Sequence, residues 1–113
     1  MTPEKIVQNG IIKYMDQMIK QGEKIRYFRR EAIGQAYQSG IPDLYAIVRG
    51  LHVEIECKRE AGGKVSQLQI KKRAELESVG SRYICPNSVE EFKEFIEEVI
   101  RDGKEYERVI RKK

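Results

Sequence analysis

Three charged side chains of the types that phosphate-ester chemistry needs fall close together in the chain: Asp43, Glu56 and Lys58. Asp43 follows Gly40-Ile41-Pro42, a turn signal, and opens an apolar run. Glu56 and Lys58 are two residues apart, so they project from the same face of an extended strand. If the two segments pair, Asp43 approaches Glu56 across the hairpin. Two carboxylates brought together repel, and a hard divalent cation relieves that repulsion. Magnesium accepts one or two carboxylates and keeps several waters. Such an ion polarises a phosphodiester and lowers the pKa of a bound water. Lys58 beside it would orient that water or stabilise charge on the phosphate. The pattern is loose, however. Pro-Asp followed by (Asp/Glu)-x-Lys arises in roughly one random chain of this length in twenty at average residue usage. Taken alone, it reads more simply as an exposed hairpin face with solvated charges.

The elements that would position these residues are legible from spacing and punctuation. Thr2 as N-cap and Pro3 at the first helical position open a helix. Val7, Ile11, Met15 and Met18 recur at helical spacing, and Gly22 stops it. Residues 25–30 read as a short strand and 31–42, with Gly34, Gly40 and Pro42, as a loop. Asp43 to Val48 and Leu51 to Lys58 are two strand-like runs separated by Arg49-Gly50, which predicts a hairpin. Alternation in the second run sets Val53, Ile55 and Cys57 on one side and Glu54, Glu56 and Lys58 on the other. A glycine-containing loop over 60–65 precedes a helix opened by Ser66 and closed by Gly80. Arg82 to Cys85 is strand-like. Ser88 and Glu91 form a capping box for a helix over 88–101 with the apolar stripe Phe92, Phe95, Ile96, Val99 and Ile100. Residues 104–113 are expected as a frayed helix or a basic tail. The order α-β-β-β-α-β-α implies an α/β fold with a mixed sheet flanked by helices.

Composition bounds the rest. The 113 residues are expected to form one domain over 1–113. With 40% hydrophobic and 35% charged residues the chain is globular rather than disordered. No run approaches the ~20 apolar residues of a membrane span. The N-terminus lacks the basic start and apolar stretch of a signal peptide, so an intracellular protein is expected. Cys57 and Cys85, with one histidine, do not make a zinc site and are read as reduced core residues. The net charge of +4 permits a polyanionic partner. Five glutamates and one lysine over 88–100 set an acidic helix apart from the more basic remainder. Gly62-Gly63-Lys64 lacks the upstream glycine and the following Ser/Thr of a nucleotide-phosphate loop. His52 is expected to serve a surface or turn role.

Residues 40–44 (Gly-Ile-Pro-Asp-Leu), 54–58 (Glu-Ile-Glu-Cys-Lys) and 66–69 (Ser-Gln-Leu-Gln) occur in this order. Together they resemble the VRR-NUC family, a branch of the PD-(D/E)XK nucleases with a restriction-endonuclease-like core. The resemblance spans about residues 4–100. It implies that Asp43 and Glu56 bind metal, with the backbone carbonyl of Cys57 as a further ligand. Lys58 becomes the catalytic lysine, and Gln69 a catalytic side chain turned towards the lysine and phosphate. Glu4 would project from the first helix towards the metal. Two of these have plainer explanations: Gln69 with Ser66 is also a capping box, and Glu4 suits any helix first turn.

The resemblance further implies a Mg²⁺ cofactor, with Mn²⁺ substituting, and DNA as the partner. Stand-alone members of this length resemble homodimeric Holliday-junction resolvases, so a homodimer acting on branched DNA is expected. Arg29, Arg30, Arg59, Lys64, Lys71 and Lys72 are candidates for phosphate contacts, and Tyr27, Phe28, Tyr37 and Tyr45 for base stacking or core packing. Flap, nicked or plain duplex DNA are alternative substrates. From another class, a non-catalytic nucleic-acid-binding module would use the same charges only as a solvated face.

Overall fold

The computed structural model describes residues 3–30, 42, 44–57 and 67–111. Its elements run α1 (Pro3–Lys20), β1 (Ile25–Arg29), β2 (Leu44–Val48), β3 (Leu51–Ile55), α2 (Gln67–Ser78), β4 (Arg82–Ile84) and α3 (Val89–Arg111). This is the α/β order expected, with a four-stranded mixed sheet flanked by helices. The strands lie in the order β1-β2-β3-β4. β1, β2 and β3 are successive antiparallel neighbours, and β4 joins β3 in parallel after the α2 crossover. The loops expected over 31–42 and 60–65, the Thr2 and Ser66 caps, and Tyr37 lie outside the described residues, Pro42 excepted.

Strand alternation sorts the side chains onto two faces. Leu44, Ala46 and Val48 of β2 and Val53 and Ile55 of β3 point to one face and are fully buried. There they meet Ile11 and Met15 of α1 and Phe92, Ile96, Val99 and Ile100 of α3. Tyr14 of α1 meets the edge of Phe92, with ring centroids 6.2 Å apart. Burying an aliphatic or aromatic side chain of this size contributes about 1.5–3 kcal/mol each. α1 and α3 cross closely: a Cβ built on Gly10 would sit 2.5 Å from Cγ2 of Val89.

The hairpin turn is the two-residue one expected, and both residues have positive φ (Arg49 at 49°, Gly50 at 89°). Paired left-handed residues suit the twist of a tight hairpin. Gly50 adopts that conformation freely; arginine does not, and is strained there by about 1–3 kcal/mol. Arg49 is held by its surroundings. Its N–H donates to the Lys24 carbonyl at 2.9 Å, Nε to Glu23 at 2.7 Å and Nη1 to Glu107 at 2.8 Å.

The partner Glu107 lies in the segment expected as a frayed helix or tail, and here the structure is more definite. α3 continues as helix to Arg111. Gly103 is buried against Arg49, and Tyr106 lies over Gly50. Hydrogen bonds from Lys24 and Arg49 hold the Glu107 carboxyl below the usual carboxylate range. Tertiary contacts with the hairpin tip thus extend the helix beyond its apolar stripe. The cap of α3 also differs in detail. Ser88 Oγ accepts from the Glu91 N–H at 3.2 Å, but the Glu91 carboxylate reaches back to the N–H of Asn87 rather than of Ser88.

Candidate active site

Glu56 follows the last residue of β3, and its N–H donates to the Ile84 carbonyl of β4 at 3.0 Å. The backbone that carries Glu56 is therefore tied to the interior of the sheet. Gln69, in the first turn of α2, donates from Nε2 to Oε1 of Glu56 at 3.0 Å. This sets the Gln69 side chain against the Glu56 carboxylate; Ser66, its partner in the capping box, lies outside the described residues. α2 has no fully buried residue, and it reaches the sheet next to β4, where Arg73 lies over the Tyr83 ring at 4.9 Å. Burial pushes the Tyr83 phenol up, and the nearby Glu56 carboxylate adds to it.

Leu44 and Ile55, the chain neighbours of Asp43 and Glu56, are paired across the hairpin. Pro42, which precedes Asp43, is buried. Asp43 and Lys58 themselves, with Arg59 and Lys64, lie outside the described residues. Cys57 is half-buried and packs against the core, and Cys85 is half-buried. Glu4 is exposed on the first turn of α1. Among the described residues, no three carboxylate, thiol or imidazole groups converge on one point. The donors offered by Glu56 and by a main-chain carbonyl at Cys57 are hard oxygens, the chemistry that Mg²⁺ or Mn²⁺ accepts.

The feature that sequence reading missed lies on the same face of the sheet. Glu54 shares that face with Glu56, as alternation predicts, but its side chain is fully buried. Arg30 grips it with two parallel bonds, Nη1 to Oε1 at 2.6 Å and Nη2 to Oε2 at 2.7 Å. His52 Nε2 lies 2.5 Å from Oε2. Burial alone would raise the Glu54 carboxyl, but the bonds and charges of Arg30 and His52 outweigh it and hold the group below the usual range. Arg30 also donates to the Pro42 carbonyl at 2.7 Å and rests 4.5 Å above the Tyr45 ring. Tyr45 in turn stacks between Phe28 and His52, at centroid distances of 5.1 and 5.3 Å.

Arg30 and His52 therefore have roles that were not expected. Arg30 is an internal ion-pair partner rather than a solvated cation, and His52 is bound to Glu54 rather than standing alone. The signal was present in part: His52 and Glu54 are two apart on one strand, and the hairpin register sets Tyr45 opposite Glu54. The other basic candidates divide. Arg29 and Lys71 are exposed, and Lys72 pairs with Glu75 at 3.3 Å on its own helix. Tyr27 is taken up structurally, packing against the core and donating to Asp16 at 2.6 Å.

Among the described residues, no helix is long and apolar enough to cross a membrane. No protein-family model matches the chain, and no curated protein matches it. A solved structure described as a VRR_NUC domain does. It is similar with a TM-score of 0.63 at 22% identity, covering 86% of this chain and 97% of the other. The chain has the fold of a VRR_NUC domain.

Proposed function

We propose that the protein is a metal-dependent DNA endonuclease of the PD-(D/E)XK type. The observation that carries this reading is the Gln69–Glu56 hydrogen bond, within a fold shared with a VRR_NUC domain. It joins two separate parts of the sequence pattern at one carboxylate. A solvated strand face has no need of a helix side chain aimed at it.

In this reading Asp43 and Glu56, with the Cys57 carbonyl, would hold Mg²⁺, with Mn²⁺ substituting for it and Glu4 of the first helix as a further candidate ligand. The ion supplies Lewis-acid polarisation of the phosphodiester and a more acidic bound water. Gln69 fixes the rotation of the Glu56 carboxylate, so that one oxygen stays directed at the site. Lys58 supplies a positive charge beside the phosphate as negative charge builds in the transition state. Exposed Arg29 and Lys71, with Arg59 and Lys64, make the sequence-independent contacts that hold a phosphate backbone. The substrate is branched DNA, cut by a homodimer whose two-fold symmetry matches paired incisions.

The test is cleavage of a labelled four-way junction and a matched linear duplex with Mg²⁺, with Mn²⁺ and with EDTA, using wild type and Lys58→Ala. Metal-dependent cutting of the junction alone, abolished in the variant, is the expected result. Equal cutting of both substrates removes the branched-DNA assignment. DNA binding without cutting under any metal replaces the enzyme with a binding module. Light scattering of the purified protein checks the dimer.

A further inference from the structure

Glu54 is a fully buried carboxylate in a domain that also has a complete apolar core. A buried ion pair is a poor source of stability, because desolvation of the charges offsets most of their attraction. Its value lies in fixing geometry. The Glu54 network fixes one point in particular. Arg30 is held from below by the carboxylate and on its flat face by the Tyr45 ring. That leaves Nη1 directed also at the Pro42 carbonyl, 2.7 Å away. The Pro42 carbonyl belongs to the peptide bond whose nitrogen is that of Asp43. On the other side of Asp43, Leu44 is fixed by its pairing with Ile55.

We infer that Arg30 is a positioning residue for the metal site, acting through the main chain at Pro42 to set Asp43, with Glu54, His52 and Tyr45 holding Arg30 in place. This rests on the metal-site reading above. The proposal explains why the grip is built from arginine. Only a planar guanidinium can make two parallel bonds to a carboxylate and still offer a donor to a third group. Lysine keeps the charge but loses that fork. It also explains the order of the parts. Glu54 lies near the end of β3 and Glu56 directly follows that strand, so one stretch of chain carries a proposed metal ligand and the anchor that orients the segment bearing the other.

The test reads metal binding directly, by Mn²⁺ titration with paramagnetic resonance of the free ion. Wild type, Arg30→Lys, Asp43→Asn and the double variant are compared, with thermal unfolding run on each. Partners that orient metal ligands typically contribute 10–100-fold to metal affinity. Arg30→Lys, which keeps the charge and most of the stem, is expected to stay folded and to weaken Mn²⁺ binding by about that factor. In the Asp43→Asn background the same substitution is expected to change nothing further, because Arg30 acts through that residue. Arg30→Lys binding Mn²⁺ as tightly as wild type overturns the proposal. So does a double variant in which the two losses multiply. Wild type with no saturable Mn²⁺ binding overturns the metal site itself, a distinct result.

Discussion

Glu54→Gln tests the buried network through stability. The substitution keeps size and shape but removes the charge and turns one acceptor into a donor. In the folded protein that amide must face two guanidinium nitrogens and an imidazole nitrogen, all within 2.7 Å of the present carboxylate oxygens. One of the two ends becomes a donor facing a donor. Removing one member of a buried ion pair costs about 3–5 kcal/mol. Arg30 retains 28% side-chain exposure and can recover some hydration, which favours the lower end of that range. A loss of about 3 kcal/mol lowers the melting temperature of a domain this size by roughly 10 °C or more.

The pH dependence sharpens the test. The Glu54 carboxyl is depressed in the folded protein below its ordinary value of 4.5. Its stabilising contribution is therefore complete above that value and is lost as pH falls through the folded pKa. Urea unfolding of wild type and variant, followed by circular dichroism, should show a constant gap from about pH 7 to about pH 5 and a closing gap below 4.5. A gap under about 1 kcal/mol at neutral pH, or one that persists unchanged at about pH 3, would refute the reasoning.

Two further outcomes are expected. Gly103→Ala sets a methyl group 2.7 Å from Cβ of Arg49 and 3.3 Å from its Cδ, in an arginine that Glu23 and Glu107 pin in place. Alanine favours the helix by about 1 kcal/mol, but overpacking costs about 1–3, so calorimetry should find a net loss; a gain would mean that α3 moves aside freely. Gln69→Ala should slow DNA cleavage by about 10–100-fold while barely moving the melting temperature, since α2 buries no residue fully. Full activity in that variant would leave the Glu56 carboxylate without need of its α2 partner.

What the sequence made legible follows from the range of the interactions involved. The β2–β3 hairpin was readable because its determinants are local: two alternating apolar runs and a two-residue turn. α1 and the first half of α3 were readable because each carries its own apolar stripe. The Arg30–Glu54 pair was not, because its two members are 24 residues apart and their encounter depends on β1 lying beside β2. Without that register, Glu54 looks like any other glutamate on a polar strand face. The C-terminal half of α3 was obscured for a similar reason. Asp102-Gly103 looks like a local stop, and only the hairpin tip, where Arg49 lies 58 residues upstream of its partner Glu107, shows why the helix continues. At the proposed site, Gln69 and Ser66 fit two roles equally in one dimension. The contact of Gln69 with Glu56 depends on the crossover that brings α2 alongside β4, which no local pattern shows.

The strained turn at Arg49 also bears on the time course of folding. Its left-handed backbone is unfavourable by itself and is compensated by Glu23 and Glu107, 26 residues upstream and 58 downstream. Contacts of such separation carry a large loop-closure cost and form after local structure. Before both arrive, an isolated β2–β3 hairpin has a disfavoured residue at its apex and every reason to fray from that end. Arg49 is therefore expected to act as a latch that closes late in folding. Its ion pairs slow opening of the finished domain more than they hasten its assembly.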